Sequence, residues 1–342
     1  MRISSIDSLR VFAVGSVISI HTKPFMADLF REPAYRLPEY LFNQPTRVAV
    51  PFFFVVTGFF LAKSTAELRG RNRWLRVWSY SQRPLLLLVA WSILYALIPS
   101  DWPSLRQIGY QELASSRLRH LVDSPLTLLF EGGKVHLWFL PSLVFGVVLL
   151  TLCTQGGRTL PAIALSALLF LLGLAGGSYA VTPLGLHLPF STRDGPFLSM
   201  ACLVAGYLLH AQSPPISTRL ALWLIGLGLL LQVGESWVLW RYFAVPWLQH
   251  DYLLGTVIAA MGVFLLALAN PDLGRNFHLP ALGQYTLGVY LCHYLFVDAL
   301  GPLIYLCEPH LWQLLFPLLV FWLSLGLTAL LSRSRLAKVL VT

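Results

Sequence analysis

The chain has 342 residues, 56% of them hydrophobic and only 11% charged, with a formal net charge of +9; its mean hydropathy is +0.69. Soluble domains carry about 25% charged residues, so this chain lacks the polar surface that water requires and reads as an all-α polytopic membrane protein. The positive balance is read as orientation in a bilayer rather than nucleic-acid binding.

Ten apolar runs approach the length a helix needs to cross a bilayer. They fall at about 6–24, 48–64, 84–99, 136–153, 159–178, 195–211, 219–234, 252–269, 283–299 and 312–331. The first lacks a basic block before it and a cleavage pattern after it, so it is expected as a retained helix rather than a leader. The ninth contains Gly288 and ends near Pro302, which predicts a tilt or break. No internal repeat is visible. The longest polar stretch, about 100–135, is too short to build its own core, so residues 1–342 are read as a single integral membrane domain. Cys153, Cys202, Cys292 and Cys307 form no CxxC pair, and neither a disulfide framework nor a metal site is expected.

Lys and Arg bias sets the orientation. With the N-terminus cytoplasmic, the inner side holds 13 basic and 3 acidic residues, and the outer side 10 basic and 12 acidic. Ten spans then place both termini inside. Most of the signal comes from the 63–83 loop, which carries Lys63, Arg69, Arg71, Arg73, Arg76 and Arg83.

This topology sorts the polar residues by depth. The first run, SIDSLRVFAVGSVISIH, holds Arg10 near the inner surface and His21 in the outer half. Eleven residues make about three helical turns, so both lie on one stripe, roughly 16 Å apart. Ionisable groups at such depth are costly and mark function by default. Beside Arg10, the loop arginines Arg73, Arg76 and Arg83 suit a phosphorylated ligand, because guanidinium meets phosphate in fork geometry. Juxtamembrane arginines also anchor helices to anionic lipid, the blander reading. In the outer half, His136 opens the fourth run and His293 lies about ten residues into the ninth, both level with His21. A lone histidine in an apolar helix is ordinarily a core hydrogen-bonding group; three at one depth weaken that reading. No HxxxH or HxxE spacing supports metal ligation. Arg193 and Asp194 sit at the outer mouth of the sixth run, as candidate acceptor contacts or a surface ion pair. Trp138 and Phe139 are expected as interfacial aromatics. Glu235, Trp237, His250 and Asp251 are expected to line an outer cavity or face water.

Here the residues carry a resemblance. IDSLRVFAVGSVISIH resembles the opening of the acyltransferase family 3 membrane proteins, marked by an arginine, ten intervening residues and a histidine, which Arg10 and His21 match. PFFFVVTGFFLAKS is similar to the family's second helix, and RWLR (Arg73 to Arg76) to its RxxR loop. HLWFLPSL, TRDGPF and LGQYTLGVYLCHYLF resemble later blocks, so the likeness runs from residue 6 to about 296. Asp194 stands where related sequences have asparagine.

The resemblance implies a ten-helix membrane enzyme, an acyltransferase outside the aminoacyl class. It would move an acyl group, often acetyl, from cytoplasmic acyl-CoA to a hydroxyl of an outward-facing sugar, polysaccharide or glycolipid. Arg10, Arg73, Arg76 and Arg83 would bind the donor. His21 would be catalytic, with His136, Arg193, Asp194 and His293 supporting it or holding the acceptor. Acyl-CoA enters as a substrate; no permanently bound cofactor, no metal, no nucleic acid and no fused esterase-like domain are expected. Partners are the donor, the carbohydrate or glycolipid acceptor and membrane lipid, and the expected location is a bacterial inner membrane. An unperturbed histidine titrates near pH 6.5, which suits base catalysis on a hydroxyl, and the same nitrogen can carry an acyl group; both routes stay open. The rival class is a transporter or flippase without acyl chemistry, and a non-catalytic scaffold is a weaker third.

Overall fold

The computed structural model describes residues 3–24, 36–98, 102–212, 216–246 and 249–341. Among them there is no β-strand. Each of the ten apolar runs coincides with a helix, and four further helices appear that the hydropathy pattern did not predict. In chain order the elements are α1 (Ser4–Thr22), α2 (Arg36–Thr46), α3 (Ala49–Thr65), α4 (Gly70–Leu97), α5 (Trp102–Asp123), α6 (Pro125–Phe130), α7 (Phe139–Cys153), α8 (Leu160–Gly176), α9 (Pro196–Gln212), α10 (Thr218–Phe243), α11 (Leu254–Ala269), α12 (Leu279–Leu282), α13 (Thr286–Leu300) and α14 (Pro309–Arg333). The unforeseen ones are α2, α5 and the short α6 and α12. Helix α5 turns 94° away from α4, and Gly109 interrupts it with φ +76°.

By length and apolar composition, five described helical segments are able to cross a membrane, or six if the bent α4–α5 pair is one span. Helices α8, α9 and α11 are apolar but shorter, at 17, 17 and 16 residues. The protein is therefore an all-helical integral membrane protein. Arg2, counted above on the inner side, and Asp28, Arg31, Glu32 and Asp101, counted on the outer, lie outside the described residues.

Helix α1 is not among the five, and the reason is physical. Its serines, Asp7, Arg10 and His21 lower its hydropathy below that of a lipid-facing helix. It packs instead in the interior, against α2, α3, α11, α12, α13 and α14. Ten of its 19 residues are buried. Ser5 donates to the carbonyl of Ala267 at 2.6 Å, tying α1 to the end of α11. The ninth run does not break at Gly288, which lies inside α13; 3-10 turns flank that helix at Gly283–Tyr285 and Gly301–Tyr305.

Small residues set the closest helix contacts, as they do where no hydrophobic force drives helices together in lipid. In the α3–α9 pair, a Cβ on Gly206 would lie 2.0 Å from the Val55 carbonyl oxygen, and one on Gly58 would lie 2.1 Å from that of Leu203. In the α10–α11 pair, Gly255 lies against the Gly228 carbonyl in the same way. Cys202 and Cys292 are buried core residues, and all four cysteines are unpaired.

Candidate functional site

A cavity of about 630 Å³ opens between α1, α3, α4, α7 and the start of α13. Arg10, Arg76 and Arg83 all line it, together with Thr57, Ser79, Tyr80 and Gln284. Its deeper wall is apolar and includes Phe53, Phe139, Leu140 and Tyr290. Arg10 donates to Asp7 Oδ1 at 3.1 Å, one turn back on α1. Three of the four arginines proposed for the donor therefore converge. The fourth does not. Arg73 is buried and donates to the carbonyl of Thr154 at 2.9 Å and to its Oγ1 at 2.5 Å. It closes the C-terminal end of α7 and does not line the cavity. Residues three apart lie only about 60° apart around a helix, so the spacing alone does not separate them; Arg73 reaches the end of α7, while Arg76 lines the cavity.

The other end of α1 meets a cluster of aromatic rings. His21 has its ring centroid 5.3 Å from His293 and 6.5 Å from His136, and these two stand 4.8 Å apart. The depth reasoning thus brings all three histidines together. Tyr294, stacked on His136 at 5.0 Å and edge-on to His21 at 4.9 Å, completes the cluster. His293 Nδ1 lies 2.6 Å from the Tyr290 carbonyl, and His136 Nε2 lies 3.3 Å from that of Leu291. A carbonyl accepts only from N–H, so each ring is held in a defined tautomer. The remaining ring nitrogens, His136 Nδ1 and His293 Nε2, are buried without a hydrogen-bond partner among the described residues. Among those residues no group of His, Cys, Asp and Glu is arranged to hold a metal ion.

Tyr290 belongs to both regions. It lines the arginine cavity, its ring lies 5.5 Å from His136 and 6.1 Å from His293, and its hydroxyl donates to the His136 carbonyl. Sequence reasoning missed it, although it stands in the same block as His293. Trp138 and Phe139 are corrected. Instead of facing an interface, Trp138 is buried beneath the Arg193 guanidinium at 5.6 Å. Phe139 packs on Phe54 at 4.9 Å and on Tyr290 at 5.5 Å.

Above the histidines lies a charged cluster. Arg193 Nε contacts Asp194 Oδ1 at 3.2 Å, and its Nη1 stands 3.9 Å from Asp251 Oδ1. Arg47, buried at the end of α2, approaches the same Asp251 oxygen at 3.7 Å and donates to Asn43 at 2.9 Å. Burial raises the Asp194 carboxyl above its ordinary range, and Arg193 only partly offsets this. Burial also pulls on Arg193, but Asp251 and Asp194 more than compensate and hold it as a firm cation. Arg193 and Asp194 thus form a contact within a wider network rather than an isolated surface pair. Glu235 and His250 serve structure: Glu235 accepts from Tyr179 and from the backbone N–H of Leu254, and His250 pairs with Ser236 at 2.9 Å.

No solved structure matches the chain. An amino-acid racemase of Enterococcus faecalis is 30% identical over 306 residues, covering 85% of this chain and 40% of the relative. A serine/alanine racemase of Enterococcus gallinarum is 28% identical over 308 residues, covering 86% and 40%. The chain therefore spans about 40% of the length of the curated relatives it matches. The family model for the acyltransferase domain of type 3 matches residues 3–333, taking in α1 with its arginine and histidine, the cavity arginines and the histidine block of α13. The chain belongs to the acyltransferase 3 family.

Proposed function

We propose that the protein is a membrane O-acyltransferase. It takes an acyl group, most simply acetyl, from acyl-CoA at the Arg10–Arg76–Arg83 cavity. It delivers that group to a hydroxyl of a sugar, polysaccharide or glycolipid approaching the histidine cluster. The observation that carries this reading is the arrangement along α1: guanidinium groups in a cavity at one end, three imidazoles at the other, and Tyr290 shared between them. A donor with an anionic nucleotide end and an acyl thioester tip has matching chemistry at the two ends. With both termini cytoplasmic, the arginines face the CoA pool and the histidines the outer half of a bacterial inner membrane.

His21 is the catalytic group in this reading. As a base, its unprotonated nitrogen accepts the acceptor's hydroxyl proton while the oxygen attacks the thioester carbonyl. The C–S bond breaks and CoA leaves as a thiolate, which then takes up a proton. As a nucleophile, the same nitrogen attacks first, releases CoA, and passes the acyl group to the hydroxyl in a second step. His136, His293, Arg193 and Asp194 orient the acceptor and stabilise the charge that develops on the carbonyl oxygen. The racemase names attach to proteins of which this chain matches 40%, so that activity is not carried over.

The test is to incubate purified protein with radiolabelled acetyl-CoA and a panel of glycan acceptors, comparing wild type with His21→Ala. Label transfer by the wild type and its loss, by at least about a hundredfold, in the variant are expected. Equal transfer by both proteins makes His21 structural. No transfer by the wild type, with substrate crossing proteoliposomes instead, favours the carrier.

A further inference from the structure

The arginine cavity has two ends of different chemistry. At the start of α4, Arg73 holds Thr154 at the end of α7, and the Tyr80 hydroxyl donates to the Phe60 carbonyl of α3 at 3.4 Å. Further along α4, Leu88 and Leu137 both lie against Gly132. Helix α7 therefore runs antiparallel to α4, and its first residue, Phe139, stands at the Leu87 end of the cavity. Phe53 and Phe54 of α3 contact Phe139 and so belong to that end too. From Arg76 to Leu87 the helix rises about 16 Å. The near end carries Arg76, Ser79 and Gln284, and the far end is closed by Phe53, Leu87, Phe139 and Tyr290.

This aromatic wall is held from behind. Phe139 packs on the fully buried Phe54 at 4.9 Å and on Tyr290 at 5.5 Å. The Tyr290 hydroxyl is committed to the His136 carbonyl, so this residue offers the cavity its ring. Phe53, half-buried, completes the wall with its ring 6.2 Å from that of Phe139. Close-packed rings of this kind do not make room for added methylene groups without displacement. At Tyr290 the wall is one ring thick, for His136 and His293 lie 5.5 Å and 6.1 Å from it. A donor whose acyl methyl rests on the wall brings its thioester close to the histidines. Each added methylene draws the thioester back toward the arginines.

We propose that the wall of Phe53, Phe139 and Tyr290 sets the length of the acyl group, with Phe139 as the residue that decides it. The donor is then a short-chain acyl-CoA, of two carbons rather than six. That the occupant is an acyl-CoA rests on the acyltransferase reading.

The test titrates the full-length protein in detergent with free CoA, acetyl-CoA and hexanoyl-CoA. Wild type is expected to bind acetyl-CoA at least about tenfold tighter than hexanoyl-CoA, within the range that misfitting methylenes command. Phe139→Ala opens the wall and is expected to tighten hexanoyl-CoA at least about tenfold while leaving free CoA unchanged. Phe53→Leu is expected to shift hexanoyl-CoA in the same direction by a smaller factor. Free CoA is the control that a merely structural loss would not spare, and the wild-type comparison holds even where a variant does not fold. Equal binding of the two esters by wild type, hexanoyl-CoA affinity unaltered in both variants, or free CoA weakened together with the esters overturns the proposal. Binding of CoA that ignores chain length strikes this proposal alone; no binding of CoA or of either ester strikes the donor reading and the proposal with it.

Discussion

Arg73 and Arg76 carry the same side chain three positions apart, and the fold gives them different work. Arg76 lines the cavity, whereas Arg73 is buried on the Thr154 end of α7. Charge and motif spacing made both visible in the sequence, but neither distinguishes a ligand-binding arginine from one that satisfies helix carbonyls. Only the partner does. Arg73→Gln is therefore expected to lower stability by about 1–3 kcal/mol, the cost of unpaired buried polar groups, with little change in acetyl-CoA affinity. Thermal unfolding in detergent beside a binding titration checks it; weakened binding at unchanged stability would return Arg73 to the donor site. The histidines were legible for another reason. Each sits in an apolar run where its position along the span fixes its depth, and depth brought His21, His136 and His293 to one level. Tyr290 escaped notice because a tyrosine in an apolar helix carries no signal until its neighbours are known.

At the scale of elements, hydropathy located ten helices because burial and lipid exposure both demand apolar runs. It was silent on α2 and α5, whose sequences are more polar, and on the short α6 and α12, and it did not reveal that α1 is an interior helix. Ser5, Asp7 and Ser8 are tolerated there because α11, α12 and α13 enclose them. Helix contacts rest on backbone approach, and the α3–α9 pair is the tightest case. Gly206→Ala puts a methyl group 2.0 Å from the Val55 carbonyl oxygen, and neither backbone can yield without moving its helix. Overpacking of this kind costs about 1–3 kcal/mol. A clear drop in thermal unfolding temperature is the expected outcome, whereas Gly226→Ala, which meets nothing within 4 Å, is expected to leave it unchanged. Equal effects at both positions would mean the pair is not in close contact.

For the whole molecule, α1 connects the arginine cavity to the histidine cluster. The resemblance seen in the sequence anticipated the arginine end and the histidine end. It gave no sign of a cavity at the other end of α4, because Arg117, His120 and Lys134, which line it, lie in a polar stretch without a motif. The central claim is a division of labour along α1, with donor binding at the Arg10 end and chemistry at the His21 end. The most direct measurement is the acetyl-CoA dissociation constant of the purified wild type, Arg10→Gln, Arg83→Gln and His21→Ala. Loss of a charged contact to phosphate is worth about 1.5–3 kcal/mol, or roughly 10- to 100-fold. Each arginine variant is predicted to weaken binding by that factor, and His21→Ala to bind as the wild type does. Unchanged affinity in both arginine variants, or an equal loss in His21→Ala, would contradict the account.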